Sequence, residues 1–229
     1  FLAQAGVCSR REAERLVAGG AVFINGKVAG TGQPVDPAVD VVTCRGQHIK
    51  PLARTVVLMM NKPRGFLCTN DDSHGGQTVF DMVPPEYRPL RLFCVGRLDK
   101  DSEGLLLLTN DGALANKVMH PSGGIIKRYE ITLNRDYDPT LTPRLLKGAV
   151  EEGEMLRFKK VIRHPDDPTR LEIHLDQGRK REIRRLFEIF GFHVKTLRRF
   201  QIGGLVLRKM PLGDCRPLSR KEIDSIFEN

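Results

Sequence analysis

The leucine run 105–108 lies between a polar, glycine-bracketed segment, Gly96-Arg97-Leu98-Asp99-Lys100-Asp101-Ser102-Glu103-Gly104, and the turn sequence Asn110-Asp111-Gly112. A short, wholly apolar run bounded by turn signals predicts a buried strand. The apolar stretch 56–61 predicts a second strand, stopped by Lys62-Pro63-Arg64-Gly65. Alternation predicts strands over 129–133 and 171–175, and 194–202 reads as another before Gly203-Gly204. Ile183, Leu186, Phe187 and Phe190 fall at helical spacing, with Gly191 as the stop. A shorter helix over 114–119 ends at His120-Pro121, and Pro84, Pro85 and Pro89 interrupt the section between the first strands.

The first fifty residues read differently. Ser9 with Glu12 three positions on is a capping-box signature, and Gly19-Gly20 supplies the helix stop. Ala13, Leu16 and Val17 form one apolar stripe, which leaves Arg10, Arg11 and Arg15 for another face. A strand over 21–24 runs into Asn25-Gly26, a hairpin turn signal, and a second strand is expected over 39–43 after the turn residues Pro34, Asp36 and Pro37. The expected organisation is a small unit over 1–47, a linker over 48–55 and a large unit over 56–229. Strands and helices interleave without regular βαβ alternation. That predicts an α+β fold on a mixed, largely antiparallel sheet with flanking helices.

Composition narrows the function. Lys and Arg number 37 against 28 Asp and Glu, a net charge of +9 with a pI near 9.5. Such an excess points to a polyanionic partner, nucleic acid before membrane, because no apolar run approaches the roughly 20 residues of a membrane span. The five cysteines are scattered without a CxxC pair, which argues against structural zinc and for a reducing compartment. The chain opens at Phe1 with no signal-like segment, so a cytoplasmic protein is expected, and the missing initiator Met suggests part of a longer one.

Gly6-Val7-Cys8-Ser9-Arg10-Arg11-Glu12-Ala13, followed by Gly20-Ala21-Val22-Phe23-Ile24-Asn25-Gly26-Lys27, resembles the small alpha-L (S4-like) RNA-binding domain. The resemblance implies that Arg10, Arg11, Arg15 and Lys27 contact RNA. Three segments of the large unit are similar to the RsuA-type ribosomal RNA pseudouridine synthases. They are Gly96-Arg97-Leu98-Asp99 with its Gly104-Leu105-Leu106-Leu107-Leu108-Thr109-Asn110-Asp111-Gly112 continuation, Lys127-Arg128-Tyr129-Glu130-Ile131, and Gln177-Gly178-Arg179-Lys180-Arg181-Glu182-Ile183-Arg184-Arg185-Leu186-Phe187. Asn61-Lys62-Pro63-Arg64-Gly65 adds a fourth family-like feature.

The resemblance implies a monomer that isomerises uridine in ribosomal RNA or a pre-ribosomal particle, with no cofactor, metal or membrane. Asp99 is then the catalytic carboxylate, attacking the sugar, attacking the base or removing a sugar proton. Arg184 is its basic partner, with Arg185 the rival on the same helix. Tyr129 lies against the base, and Ile183 and Leu98 line the pocket. Arg97 is expected to share a side with Asp99 by strand alternation and to hold RNA; Lys62, Arg64, Lys127, Arg128 and Arg179 are expected to contact RNA as well. Leu67-Cys68-Thr69-Asn70-Asp71 and Pro121-Ser122 look closer to the large-subunit members. Relatives often carry Asn or His followed by Gln where this chain has Arg181-Glu182. Asp101, Glu103 and Asp111 beside Asp99 keep a carboxylate-pair glycosidase in view. A non-catalytic RNA-binding or ribosome-assembly factor is the other alternative.

Overall fold

A computed structural model describes residues 1–51, 54–70 and 75–228. Its first helix, α1 (Arg10–Ala18), starts at Ser9, whose hydroxyl accepts from the Glu12 backbone N–H at 3.2 Å. The Glu12 carboxylate pairs with Arg15 at 3.4 Å, and only the Ser9 half of the expected capping box forms. β1 (Val22–Ile24) and β2 (Lys27–Val28) make the expected hairpin. Asn25 and Gly26 both have positive φ, 51° and 79°, as a two-residue turn of this hand requires.

β3 (Val42–Cys44) and β4 (Gln47–Ile49) complete a small sheet of order β2-β1-β3-β4. β3 begins later than the expected 39–43. The Asp40 carboxylate accepts from Asn25 Nδ2 and from the Asp36 N–H, both at 2.8 Å, and so keeps 36–40 as a turn. β4 carries this sheet to Ile49, inside the stretch 48–55 read as linker. Leu52 and Ala53 of that stretch, and Asp71 of the family-like segment, lie outside the described residues. Leu2, Leu16, Val22, Ile24 and Val42 form the core of this unit.

The large unit contains β5 (Val57–Lys62), β6 (Phe93–Val95), β7 (Glu103–Thr109), α2 (Gly112–Met119), β8 (Lys127–Leu133), α3 (Thr142–Lys147), β9 (Ala149–Glu151), β10 (Glu154–Leu156), β11 (Lys160–Arg163), β12 (Arg170–Leu175), α4 (Glu182–Ile189), β13 (Val194–Ile202), β14 (Leu205–Val206), β15 (Cys215–Pro217) and α5 (Arg220–Ser225). The main sheet runs β11-β12-β8-β13-β7-β5-β15, with β6 added to β7 and β14 to β13. Its described ladders are antiparallel except β13–β7, so the sheet is mixed and largely antiparallel. β9 and β10 form a separate hairpin.

β7 is central, and its leucines explain why. Leu105 and Leu107 pack with Val118, Ile125 and Ile202 on one face, while Leu106 and Leu108 pack with Val79, Val83 and Tyr87 on the other. All four are fully buried, and burial on both faces is what an unbroken apolar strand encodes. A third core lies under α4, where Leu186 and Phe187 meet Ile131, Leu133 and Ile173.

The sheet forks along one edge of β7. β13 pairs there only through Glu103 and Gly104, and β6 takes over at Leu107. A pocket opens beside that fork.

Candidate active site

The pocket encloses about 500 Å³, within the usual range of small-molecule sites. Its floor is sheet. Lys127 and Tyr129 on β8, Leu175 on β12, and Leu197, Arg199 and Ile202 on β13 all line it. They share a face because Leu175 and Ile202 both pair with Lys127 across their ladders, and Arg199 pairs with Tyr129. One wall is the loop from Cys94 to Asp99 with Ser102; the other is the start of α4, from Gly178 to Arg184.

Asp99 sits on the loop between β6 and β7. It leaves β6 at Gly96, whose φ of 74° makes the turn that a side chain would strain. Arg97 and Asp99 therefore follow a loop rather than the strand alternation expected for them, although both line the pocket. Leu98 is buried between them and packs with Tyr129 and Ile183. The Asp99 carboxylate is partly exposed at the pocket wall.

Lys62 is a correction. Expected as an RNA contact, it is fully buried at the end of β5. Its ammonium donates to the carbonyls of Pro63 at 3.0 Å, Asp99 at 3.1 Å and Ser102 at 2.8 Å. The Gly65 N–H adds a bond to Lys100 O at 2.8 Å. The Lys62–Gly65 corner thus clamps the backbone of the Asp99 loop. Burial pulls the Lys62 pKa below the ordinary lysine value, against the opposing pull of Cys68, Asp101 and Asp99.

Arg184 also departs from expectation. It is 4% exposed and reaches the loop, but its Nη2 lies 3.0 Å from Asp101 Oδ2, and its Nη1 donates to Val194 O at 2.5 Å. Among the described residues, the cation within ion-pair distance of Asp99 is Arg181, at 3.6 Å from Oδ2; Arg181 also reaches Asp101 Oδ1 at 3.6 Å. Arg181 occupies the N-cap of α4 with φ 51°, the left-handed conformation that aims its side chain back over the loop. Burial pulls Arg184 below the ordinary arginine value, and Asp101 offsets part of that. Arg185 turns away, held by Glu151 and by Glu154 at 2.7 Å.

Tyr129 and Ile183 are buried, at 7% and 4% exposure, and face the pocket with Leu98. Lys127 is a half-buried floor residue rather than a surface phosphate contact. Arg128 lies on the opposite face of β8 from it, with its Nε buried and without an acceptor. Arg179 lines the rim and pairs with Glu154 at 3.3 Å. Arg64 is exposed and pairs with Glu103 at 3.3 Å. Arg10, Arg11, Arg15 and Lys27 are all exposed on the small unit.

The carboxylates that kept a glycosidase in view have other work. Asp101 pairs with Arg184 and Glu103 with Arg64, while Asp111 caps α2 by accepting from the Ala113 and Leu114 N–H groups at 2.9 and 3.0 Å. Sequence reasoning did not single out Arg199, which is buried in the pocket floor. Glu182, which opens α4, is buried as well. It accepts from Gln177 Nε2 at 2.6 Å and the Arg179 N–H at 3.0 Å, and burial pushes its pKa up. No helix among the described residues is long and apolar enough to cross a membrane.

The RNA pseudouridylate synthase family model matches residues 56–188, and the S4 domain matches residues 1–41. The chain is 37% identical over 230 residues to the dual-specificity RNA pseudouridine synthase RluF of Escherichia coli K12, spanning 100% of this chain and 77% of that protein. It is 37% identical over 234 residues to the ribosomal large subunit pseudouridine synthase B of Vibrio cholerae, spanning 99% and 73%. A crystal structure of a pseudouridylate synthase superposes with a TM-score of 0.71 at 27% identity, covering 99% of this chain and 97% of that one.

Proposed function

We propose that this chain, which belongs to the RNA pseudouridylate synthase family and is an RNA pseudouridine synthase, acts on large-subunit ribosomal RNA. It works as a cytoplasmic monomer, with Asp99 as the catalytic carboxylate and no metal or cofactor. The reaction breaks the bond between the sugar C1′ and uracil N1, turns the base, joins C1′ to C5, releases the C5 hydrogen as a proton and returns a proton to N1. One bond is exchanged for another with no net redox change, so protein groups suffice.

The observation that carries this reading is the Asp99 carboxylate at the wall of a pocket whose nearby apolar surface is Leu98, Tyr129 and Ile183. A uridine swung out of its helix enters that pocket, because a stacked and paired base hides its reacting atoms. Tyr129 then lies against the pyrimidine ring. Attack on the sugar, attack on the base and removal of a sugar proton all begin from a carboxylate placed there. Arg184 acts at one remove. By pairing with Asp101 it fixes the loop that carries Asp99.

Arg181 pairs with Asp99 at 3.6 Å in the free enzyme and meets RNA phosphate as the substrate arrives. Arg64, Arg97 and Arg179 add phosphate contacts near the site, and Arg10, Arg11, Arg15 and Lys27 anchor structured RNA on the small unit. The likeness to large-subunit enzymes and the segment from Leu67 to Asn70 favour that subunit.

The test is tritium release from large- and small-subunit ribosomal RNA labelled at C5 of uridine. Release from the large-subunit RNA alone is expected. Release from the small-subunit RNA alone reassigns the target. Release from neither, as naked RNA or in assembly intermediates, overturns the large-subunit assignment.

A further inference from the structure

Among the described residues no carboxylate pairs with either of two cations on the pocket floor, although the Cys68 thiol feels the Arg199 charge. Arg199 is 4% exposed and sits at the fork of the sheet. Its Nε donates to Leu105 O at 2.7 Å, a carbonyl on the stretch of β7 that neither β13 nor β6 pairs. Its Nη2 is buried with no acceptor. Its backbone is equally fixed, since it packs on Gly104 so closely that a Cβ there would lie 2.2 Å from Arg199 O.

Lys127 lies on the same face, two residues from Tyr129, which is the ladder partner of Arg199. Among the described residues, the Lys127 ammonium makes no hydrogen bond or ion pair, and the Arg199 guanidinium makes no ion pair. Burial pulls the Lys127 pKa down, and the Arg199 charge pulls it further. Asp176 and Glu182 face it from neighbouring elements and partly offset this, but neither comes within ion-pair distance.

Two poorly solvated cations on one pocket floor, with no carboxylate in ion-pair distance among the described residues, destabilise the empty protein. The arrangement is favourable only when an anion occupies the pocket. Donors without acceptors can meet only oxygen or a deprotonated ring nitrogen there.

We propose that Arg199 and Lys127 form an anion hole for the pyrimidine itself, holding the detached base as its anion between cleavage at N1 and rejoining at C5. The inference rests on the proposed uridine isomerisation. When the C1′–N1 bond breaks, its electron pair leaves with the base and spreads over N1, O2 and O4, while C1′ is satisfied by a bond to the Asp99 carboxylate or by the electrons of a departing C2′ proton. Tyr129 lies beside the ring, so the ladder partner of Tyr129 meets its edge. The neutral uracil of the bound substrate gains less from the two charges than the anion does, so the stabilisation grows as the bond breaks. The residue types suit a base that must turn. Arg199 is fixed by its bond to Leu105, while the Lys127 ammonium can follow the oxygens as they move.

Binding of a pyrimidine anion tests this without turnover. The probes are 5-nitrouracil, ionised near neutral pH, and uncharged uracil, each titrated calorimetrically into the full chain. At least about tenfold tighter binding of the nitro compound is expected, with the preference lost in Lys127→Met. Equal affinity for the two probes, or a preference that survives both Lys127→Met and Arg199→Met, overturns the inference.

Turnover separates it from the reading beneath it. Single-turnover rates of C1′–N1 cleavage, read as loss of the parent nucleoside from nuclease digests, are compared on large-subunit RNA transcripts made with uridine or with 5-fluorouridine, whose base departs more easily. Turnover of the uridine transcript by the parent protein tests the proposed reaction. Lys127→Met should slow that transcript about 100-fold and the fluorinated one distinctly less, with an unchanged or higher Tm. Equal loss on both transcripts indicates a structural role and overturns the inference. Arg199→Lys, which keeps the charge, should retain more of the rate than Arg199→Met; equal rates at matched Tm remove Arg199 from the hole.

Discussion

Replacing Lys62 with methionine separates two accounts of one residue. In the structure the ammonium is fully buried and donates to the carbonyls of Pro63, Asp99 and Ser102. Methionine matches its length and keeps the space filled but donates nothing. Three carbonyls left without a donor cost about 1–3 kcal/mol each. Removing a buried charge gives back several kcal/mol of desolvation, which leaves a net loss of about 3 kcal/mol. For a chain of this size that lowers Tm by about 6–12 °C. The freed loop carries Asp99, and a displacement of about 1 Å at a reacting group costs about 100-fold in rate. Urea unfolding and single-turnover isomerisation measure the two losses, while RNA affinity and its salt dependence stay unchanged. Normal stability with weaker RNA binding, and a salt slope reduced by about 1, would refute this reasoning and restore Lys62 as a phosphate contact.

Gly104→Ala adds a Cβ 2.2 Å from Arg199 O at a φ of 107°; it should force β7 and β13 apart where they pair and cost about 3 kcal/mol or more in urea unfolding. Asp101→Asn removes the carboxylate partner of buried Arg184; because Asp101 is half exposed, water screens the pair, and the expected loss is about 1–3 kcal/mol. The Cys94 thiol, hydrogen-bonded to Cys68, pulls the Cys68 pKa from 9.0 to about 6 against burial, with help from the Leu98 N–H, Lys62 and Arg199. A lowered acid stabilises the fold in its ionised form, so this contribution is fully present above pH 9.0 and fades as pH falls through about 6. Cys68→Ser should therefore cost more at pH 9 than at pH 6 by urea unfolding, and an equal cost at both would show that the thiol does not ionise in that window.

The strands and helices were legible where one physical signal dominated. The run 105–108 could be only a strand buried on both faces, and Asn25-Gly26 could supply two positive φ values. The pocket-facing side of α4 was legible because Ile183, Leu186 and Phe187 fix which side is buried, and Arg184 follows Ile183 inward. Partner identity was not. Asp99 and Asp101 lie two residues apart on an irregular loop, and only three-dimensional geometry shows that Arg184 reaches Asp101 while Arg181 reaches Asp99.

Arg199 was hidden by register. β13 has irregularities between Val194 and Thr196 and between Arg199 and Gln201, which break the alternation that would tell Arg198 from Arg199. Arg198 turns outward to Glu130 at 3.2 Å, and Arg199 turns inward. Lys62 was hidden by its company. Lys-Pro-Arg-Gly reads as an exposed turn, and the acceptors that bury the lysine come mostly from a loop about forty residues away.

The central claim is that Asp99 performs the chemistry, and Asp99→Asn tests it most directly. The substitution is nearly isosteric. It removes only a partly exposed ion pair with Arg181 at 3.6 Å, so stability should change by less than about 1 kcal/mol. Tritium release from C5-labelled large-subunit ribosomal RNA is measured under single turnover, with Tm and RNA affinity measured alongside. Release should disappear while Tm and affinity remain at parental values. Release at the parental rate would contradict the claim and move the catalytic role to another residue of the pocket.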